Sequence, residues 1–363
     1  MTNTYQLTDA IWDAADPCPF DGVIDVRSPG EFAKDRIPGA INLPVLDDAE
    51  RADVGTLYAR VGAFEARRLG AGLVSANIAR HFAYHFATVG RGYRPLVYCW
   101  RGGQRSASLA IVLAAVGWRV TVLRGGYKTY RAHVRVQLDV LPPTYHYRMV
   151  GGATGCGKTR LLVRLAARGA QVLDLEDLAA HRGSALGKVG VQPSQKLFET
   201  RLWTALSRLD PVRPVWVEAE SNRIGDLYVP RALWDRMKAS TGIELRVPIA
   251  GRVALLLSDY GHWVADPLGL IDALSPYSAW HGDRQVAAWK RQIEAGEWPA
   301  FVASLLDVHY DRRYAASAGR CFPRLTDVAY LDDASDETLD LLAGQLHDAT
   351  TTRPMPRSAT DDS

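Results

Sequence analysis

The sequence predicts two consecutive α/β domains, each built on a parallel sheet, the second ending in a mainly helical part. Three observations carry this. At 363 residues the chain exceeds one typical domain and suits two. Up to about residue 135, short apolar runs alternate with helical stretches, the order a parallel sheet needs. A fresh strand, glycine loop and helix then follow the pair Pro142-Pro143.

Taken in order, Gly22 to Val26 and Leu96 to Tyr98 read as buried strands, and Val120 to Leu123 as a third. A long, mainly helical insertion, about 48–91, separates the first two and is too long for a plain connection. Ser106 to Val116 reads as a helix that starts directly after a glycine loop. From Ala132 to Tyr147 the pattern weakens and two prolines disfavour a helix, so a linker is expected at 136–146. The first domain is thus 1–135 and the second 147–346. In the second, YRMV is a strand, Arg160 to Arg168 an apolar helix, and VLDLE and VWVEAE are strands ending in acids. The remainder to about Leu346 reads as helical, and 347–363 as a disordered tail.

Apolar residues make up 47% and charged residues 23%, which excludes disordered and fibrous classes. No run of eighteen apolar residues occurs, and the opening MTNTYQLTDA lacks the layout of a signal peptide, so a cytoplasmic location is expected with no membrane partner. Cys18, Cys99, Cys156 and Cys321 lie too far apart for a zinc site or a disulfide framework. A net charge of +3 is compatible with an RNA partner and does not require one.

The first chemical motif is Tyr98-Cys99-Trp100-Arg101-Gly102-Gly103-Gln104-Arg105-Ser106. A glycine loop between a buried strand and a helix turns amides inward and adds the positive end of the helix, which favours a bound oxyanion and a thiolate on Cys99. Arg105, six positions on, can grip that anion at two points. Upstream, Asp25-Val26-Arg27-Ser28-Pro29-Gly30-Glu31-Phe32 and Ile37-Pro38-Gly39-Ala40-Ile41-Asn42-Leu43-Pro44 resemble the N-terminal signature of rhodanese domains, and Leu123-Arg124-Gly125-Gly126 adds to the match. The resemblance implies a cysteine that carries sulfur or a related atom. The spacing from Cys99 to Arg105 exceeds the usual rhodanese loop by one residue and equals that of cysteine-dependent phosphatases, which points to a phosphorus-bearing substrate.

The second motif, Gly152-Ala153-Thr154-Gly155-Cys156-Gly157-Lys158-Thr159, fits G-x4-G-K-[ST] in full and in the required strand–loop–helix context. Such P-loops, as in NTPases, hold a diphosphate on backbone amides. Lys158 neutralises its oxygens and the Thr159 hydroxyl completes a Mg²⁺ shell. The motif does not say which diphosphate binds. Cys156 occupies a variable position and reads as packing. Glu218 and Glu220, or Asp174 and Glu176, are candidates to hold the metal through water.

The order rhodanese domain, then P-loop domain, resembles the bacterial tRNA 2-selenouridine synthases. The similarity includes Cys99 to Ser106, Gly151 to Thr159, Asp174-Leu175-Glu176 with His181-Arg182-Gly183-Ser184, Glu218 to Gly225, and Tyr310-Asp311 with Tyr314. Tyr98 stands where some members have a second cysteine. The resemblance implies a transferase that geranylates 2-thiouridine at the tRNA wobble position and then replaces sulfur by selenium, with geranyl diphosphate and selenophosphate as donors and a selenophosphate synthase as supplier. It also implies that the P-loop, Gly152, Thr154, Gly155, Cys156, Gly157, Lys158 and Thr159, holds the allylic diphosphate with Mg²⁺ on Thr159 and Glu218. Cys99, as nucleophile or selenium carrier, would work with Arg101 and Arg105 as clamps and with Trp100, Gly102, Gly103 and Gln104 around selenophosphate. Arg182, Lys188, Arg312 and Arg313 are candidates for tRNA phosphates, and the helical insertion for the anticodon arm. A phosphatase or sulfurtransferase fused to a kinase-like P-loop domain is the rival reading, and oligomeric state is not legible.

Overall fold

The computed structural model describes residues 5–181 and 191–352. They form two compact units. One runs to Leu141 and also takes in Pro193–Arg208; the other holds Pro142–Gln192 and the chain from Leu209 on.

The first unit is a five-stranded parallel sheet of Gln6–Thr8 (β1), Gly22–Asp25 (β2), Ala40–Asn42 (β3), Pro95–Tyr98 (β4) and Thr121–Leu123 (β5), in the order β1-β5-β4-β2-β3. Ile24, Val97 and Val122 come into register across its centre and are fully buried. The helix Gln104–Val116 lays Leu109, Ala110 and Leu113 against them. The short edge strands β1 and β3, QLT and AIN, escape the sequence pattern because neither carries an apolar run. The insertion folds as the helices Asp48–Arg60 and Ala63–Tyr84, the first begun by a capping box of Asp47 and Glu50.

Two differences from the sequence reading concern the division into halves. The first part of the stretch expected to be irregular, up to Val140, belongs to the helix Tyr127–Val140, which buries Tyr127, Tyr130, Val134 and Leu138 at helical spacing and stops before Pro142-Pro143. The helix Gln195–Ser207, expected in the P-loop half, belongs to the first unit. Tyr130 meets Trp203 edge-on at 5.8 Å, its hydroxyl reaches the Thr200 hydroxyl at 3.4 Å, and Arg131 pairs with Glu199. Those three pairs explain the assignment, since each half of the contact lies on the apolar or charged face of its own helix.

The second unit is a five-stranded parallel sheet of Tyr147–Gly152 (β6), Gln171–Leu173 (β7), Val215–Glu218 (β8), Gly242–Arg246 (β11) and Leu325–Tyr330 (β12), in the order β12-β11-β6-β8-β7. A small hairpin, Arg223–Ile224 (β9) with Leu227–Tyr228 (β10), follows β8. Strands β11 and β12 correct the expectation of an all-helical remainder. β12 lies at the sheet edge, half exposed, and so lacks the apolar run that marks a buried strand. VLDLE is also not one strand. β7 stops at Leu173 because Asp174 caps the helix Leu175–Ala179, accepting from the Asp177 amide at 2.8 Å. Between β11 and β12 a helical part builds its own core on Leu274, Tyr277, Trp289 and Ile293.

Candidate functional site

In the first unit, β4 delivers Cys99 to a loop whose helix begins at Gln104, two residues earlier than expected. The Cys99 side chain is 3% exposed. Its sulfur accepts from the Gly103 amide at 3.3 Å and lies 3.3 Å from the Ser106 hydroxyl. The loop is closed from below by the turn Leu123-Arg124-Gly125-Gly126. The Tyr127 amide donates to the Cys99 carbonyl at 2.8 Å and the Lys128 amide to the Trp100 carbonyl at 3.1 Å. Gly102 and Gly126 both have positive φ, and a Cβ on Gly126 would stand 2.2 Å from the Cys99 carbonyl oxygen, so only glycine permits this approach.

The DVRSPGEF segment supports the loop. Arg27 is buried, chelates Asp25 with its Nε and Nη2, donates to the Asp35 carbonyl at 2.6 Å and lies 4.1 Å from the Tyr127 ring. Arg105 is held by Glu31 through hydrogen bonds of 2.7 and 3.4 Å. Burial works to raise the Glu31 carboxyl, but the hydrogen bond and charge of Arg105 hold it below the ordinary range. Arg101 is exposed beside Lys128 and Gly125 on one face of the loop, and Trp100 leans on Tyr127 at 5.2 Å. Tyr98 is fully buried, with its hydroxyl accepting from the Ile37 amide at 3.2 Å, a structural role.

In the second unit, β6 runs into the P-loop and the helix Lys158–Ala167. The Lys158 ammonium donates to the Gly152 carbonyl at 3.0 Å, so the loop curls round it. Burial acts to lower its pKa, and Glu220, Glu218 and Glu176 outweigh this and raise it, keeping Lys158 charged. Cys156 packs into the core and burial pushes its thiol up, so its side chain is inert and only its backbone belongs to the loop.

Glu176, Glu218 and Glu220 converge, with one oxygen of each within 4.8 Å of the others. The Thr159 hydroxyl donates to Glu218 Oε1 at 2.6 Å and lies 3.4 Å from Glu176. The other Glu218 oxygen is buried with no partner. Burial first, then repulsion from neighbouring carboxylates, raises the pKa of both Glu218 and Glu176. An orphaned carboxylate oxygen, two neighbouring carboxylates and a threonine hydroxyl are the donor set a hard divalent cation takes. Asp174, spent on capping, is not in this group.

These carboxyls set a pH dependence. Their pKa values in the fold exceed the ordinary 4.5, so the native state keeps protons that the unfolded chain loses. Their stabilising contribution is present in full below about pH 4.5 and is lost as pH rises through their raised values. Calorimetry at pH 6 and pH 9 should find a lower Tm at pH 9 and a Mg²⁺-induced rise in Tm that is larger there. A Mg²⁺ effect that shrinks with pH would overturn this.

A family profile described as the rhodanese-like domain matches residues 6–133, and one described as the tRNA 2-selenouridine synthase AAA domain matches 145–269. Curated relatives named tRNA 2-selenouridine synthase include those of Nitrosomonas europaea (37% identical, over 66% of this chain and 63% of that one) and Cupriavidus necator (40%, 66% and 65%). That of Hydrogenovibrio crunogenus is 36% identical over 66% of this chain and 67% of its own. The chain belongs to the tRNA 2-selenouridine synthase family. It spans 63–67% of the length of these three relatives.

For this member of the synthase family, the loops carry most of the residues expected from sequence. Cys99 with Trp100 to Ser106 forms one cradle, and Gly152 to Thr159 with Glu218 the other. Arg105 contacts Glu31, a partner the motif contains but spacing does not reveal. Arg312 and Arg313 are exposed at the start of the helix Arg312–Cys321, with Arg313 5.4 Å from the Trp280 ring. Arg182 and Lys188 lie outside the described residues.

Sequence reasoning missed the wall beside the P-loop. Arg252, 6% exposed, donates to the Thr154 carbonyl at 2.8 Å and to Asp311 at 2.9 and 2.6 Å, so Asp311 holds the loop through Arg252. The appearance of Tyr310-Asp311 in the family match was the signal available. Next to Thr154 opens an apolar cavity of about 70 Å³ walled by leucines, valines, aromatic rings and Trp298. No helix of the described residues is long and apolar enough to cross a membrane.

Proposed function

We propose that this chain modifies tRNA in two steps, attaching a geranyl group to the sulfur of 2-thiouridine at the wobble position and then replacing that sulfur with selenium. The observation that carries the reading is the cavity at Thr154: a loop built to hold a diphosphate opens on a hydrocarbon-lined space. A nucleotide base would ask that wall for hydrogen-bonding groups, and a prenyl chain asks only for burial.

In the first step the thiocarbonyl sulfur attacks the allylic carbon, the carbon–oxygen bond breaks, N3 of the base gives up its proton to solvent, and pyrophosphate leaves onto the P-loop amides and Lys158. Glu218 with Thr159, Glu176 and Glu220 would hold Mg²⁺, which supplies charge to the departing diphosphate. In the second step the Cys99 thiolate attacks the phosphorus of selenophosphate, the P–Se bond breaks and selenide is released; the selenide adds at C2, the alkylated sulfur departs as a thiolate, a far better leaving group than the bare thiocarbonyl, and water cleaves the Cys99–phosphoryl bond to release phosphate. Cys99 is the thiol of that step, and its cradle of amides with Arg101 receives the oxyanion. The donor requires a selenophosphate synthase as supplier. The substrate is tRNA, and Arg312 and Arg313, with Arg182 and Lys188, are the basic residues proposed for its phosphates.

The deciding experiment incubates 2-thiouridine tRNA with the protein, Mg²⁺, geranyl diphosphate and selenophosphate, and weighs the nucleosides by mass spectrometry. The expected products are the geranylated thionucleoside and then the selenonucleoside. Unchanged mass with both donors present would end the proposal, and steady phosphate release from an aryl phosphate that depends on Cys99 would favour the phosphatase alternative.

A further inference from the structure

The apolar cavity has a phosphate end and a far end. One wall is the helix Ile249–Asp259 and its continuation Gly261–Ala265. The other is the helix Trp298–Leu305 and the π-helical turn Leu306–Asp311. The walls are clamped together at one end by the bidentate pair of Arg252 and Asp311, and the same guanidinium holds the Thr154 carbonyl of the P-loop. From that clamp the first wall presents Leu256, Tyr260 and then Trp263, while the second presents Tyr310, Leu305 and then Trp298. Trp263 stands 11 residues and Trp298 13 residues along the chain from the clamp.

These two tryptophans differ from the core tryptophan of the same helical cluster. Trp289 is 0% exposed and its indole nitrogen donates to the Ser304 hydroxyl at 3.0 Å. Trp263 and Trp298 are only half-buried and line the cavity. The buried Trp263 Nε1 has no hydrogen-bond partner, so no bond within the wall requires an indole there. A wide, stiff ring at the end of a hydrocarbon slot limits depth, since overpacking forces neighbours out of their rotamers.

We infer that Trp263 and Trp298 form the stop that sets the length of the prenyl chain this protein accepts. The inference rests on the proposed function, in which the chain lies along the cavity with its diphosphate at Lys158. One methylene too many or too few in such a pocket discriminates by roughly 10- to 200-fold, so a whole isoprene unit is well within the power of the stop.

The test is competition among the five-, ten- and fifteen-carbon allylic diphosphates for a 2-thiouridine anticodon stem-loop, using the full chain and reading product masses. Wild type should prefer ten carbons. Trp263→Leu and Trp298→Ala should each raise the fifteen-to-ten ratio of kcat/KM at least tenfold. Val302→Trp, which fills the slot midway, should move the preference to five carbons and decides the matter if the shortened variants do not fold. Ratios within twofold of wild type in every folded variant would refute the stop while leaving the donor reading intact. If wild type attaches none of the three chains, the donor reading fails and the stop with it.

Discussion

Lys158→Ala is expected to slow prenyl transfer by a hundred- to a thousandfold, the range seen when one preorganised group that stabilises developing charge is deleted. The ammonium is anchored to the Gly152 carbonyl at 3.0 Å and its pKa is raised by the neighbouring glutamates, so it meets the departing pyrophosphate without reorganisation. Its loss also leaves Glu176, Glu218 and Glu220 without their nearest cation, which should strengthen the demand for Mg²⁺. Single-turnover transfer from geranyl diphosphate measures the effect. Selenium exchange on RNA that already carries the geranyl group should proceed at the wild-type rate, and retention of more than a fifth of the transfer rate would remove Lys158 from this role.

Cys99→Ala is expected to stop selenium incorporation, with a loss exceeding about a thousandfold as for other removed nucleophiles, while geranylation continues. Cys99→Ser is the sharper variant. Its oxygen can keep the contacts with the Gly103 amide and the Ser106 hydroxyl, so the loop stays formed while the soft nucleophile is gone. The geranylated nucleoside should then accumulate. If selenonucleoside still forms in both variants, Cys99 is a structural residue of the loop.

Much of the site was legible because its residues are neighbours in sequence. Cys99 to Ser106 and Gly152 to Thr159 are each a strand end, a glycine turn and a helix start, and backbone geometry alone makes them anion cradles. Glu218 was legible as a strand-end acid. Glu176 and Glu220 were candidates without a means of choosing between them and Asp174, because the choice depends on which carboxylate caps a helix and which is left facing Thr159. Arg105 was read as an anion clamp, and its pairing with Glu31 joins residues that sequence spacing does not relate. The edge strands β1, β3 and β12 were missed for a related reason. An edge strand needs one partner and little apolar character, so period and composition do not mark it.

By itself the sequence determined the two α/β halves, the two phosphate-type loops and their order, since each depends on local periodicity and on glycines that the backbone requires. Only the tertiary structure decided that Gln195–Ser207 packs in the first unit, that three glutamates meet at Thr159, and that Arg252 and Asp311 clamp the P-loop beside an apolar cavity. Those contacts join residues far apart along the chain. Their energy comes from desolvated charge pairs and shared burial, quantities that exist only once the surfaces have met.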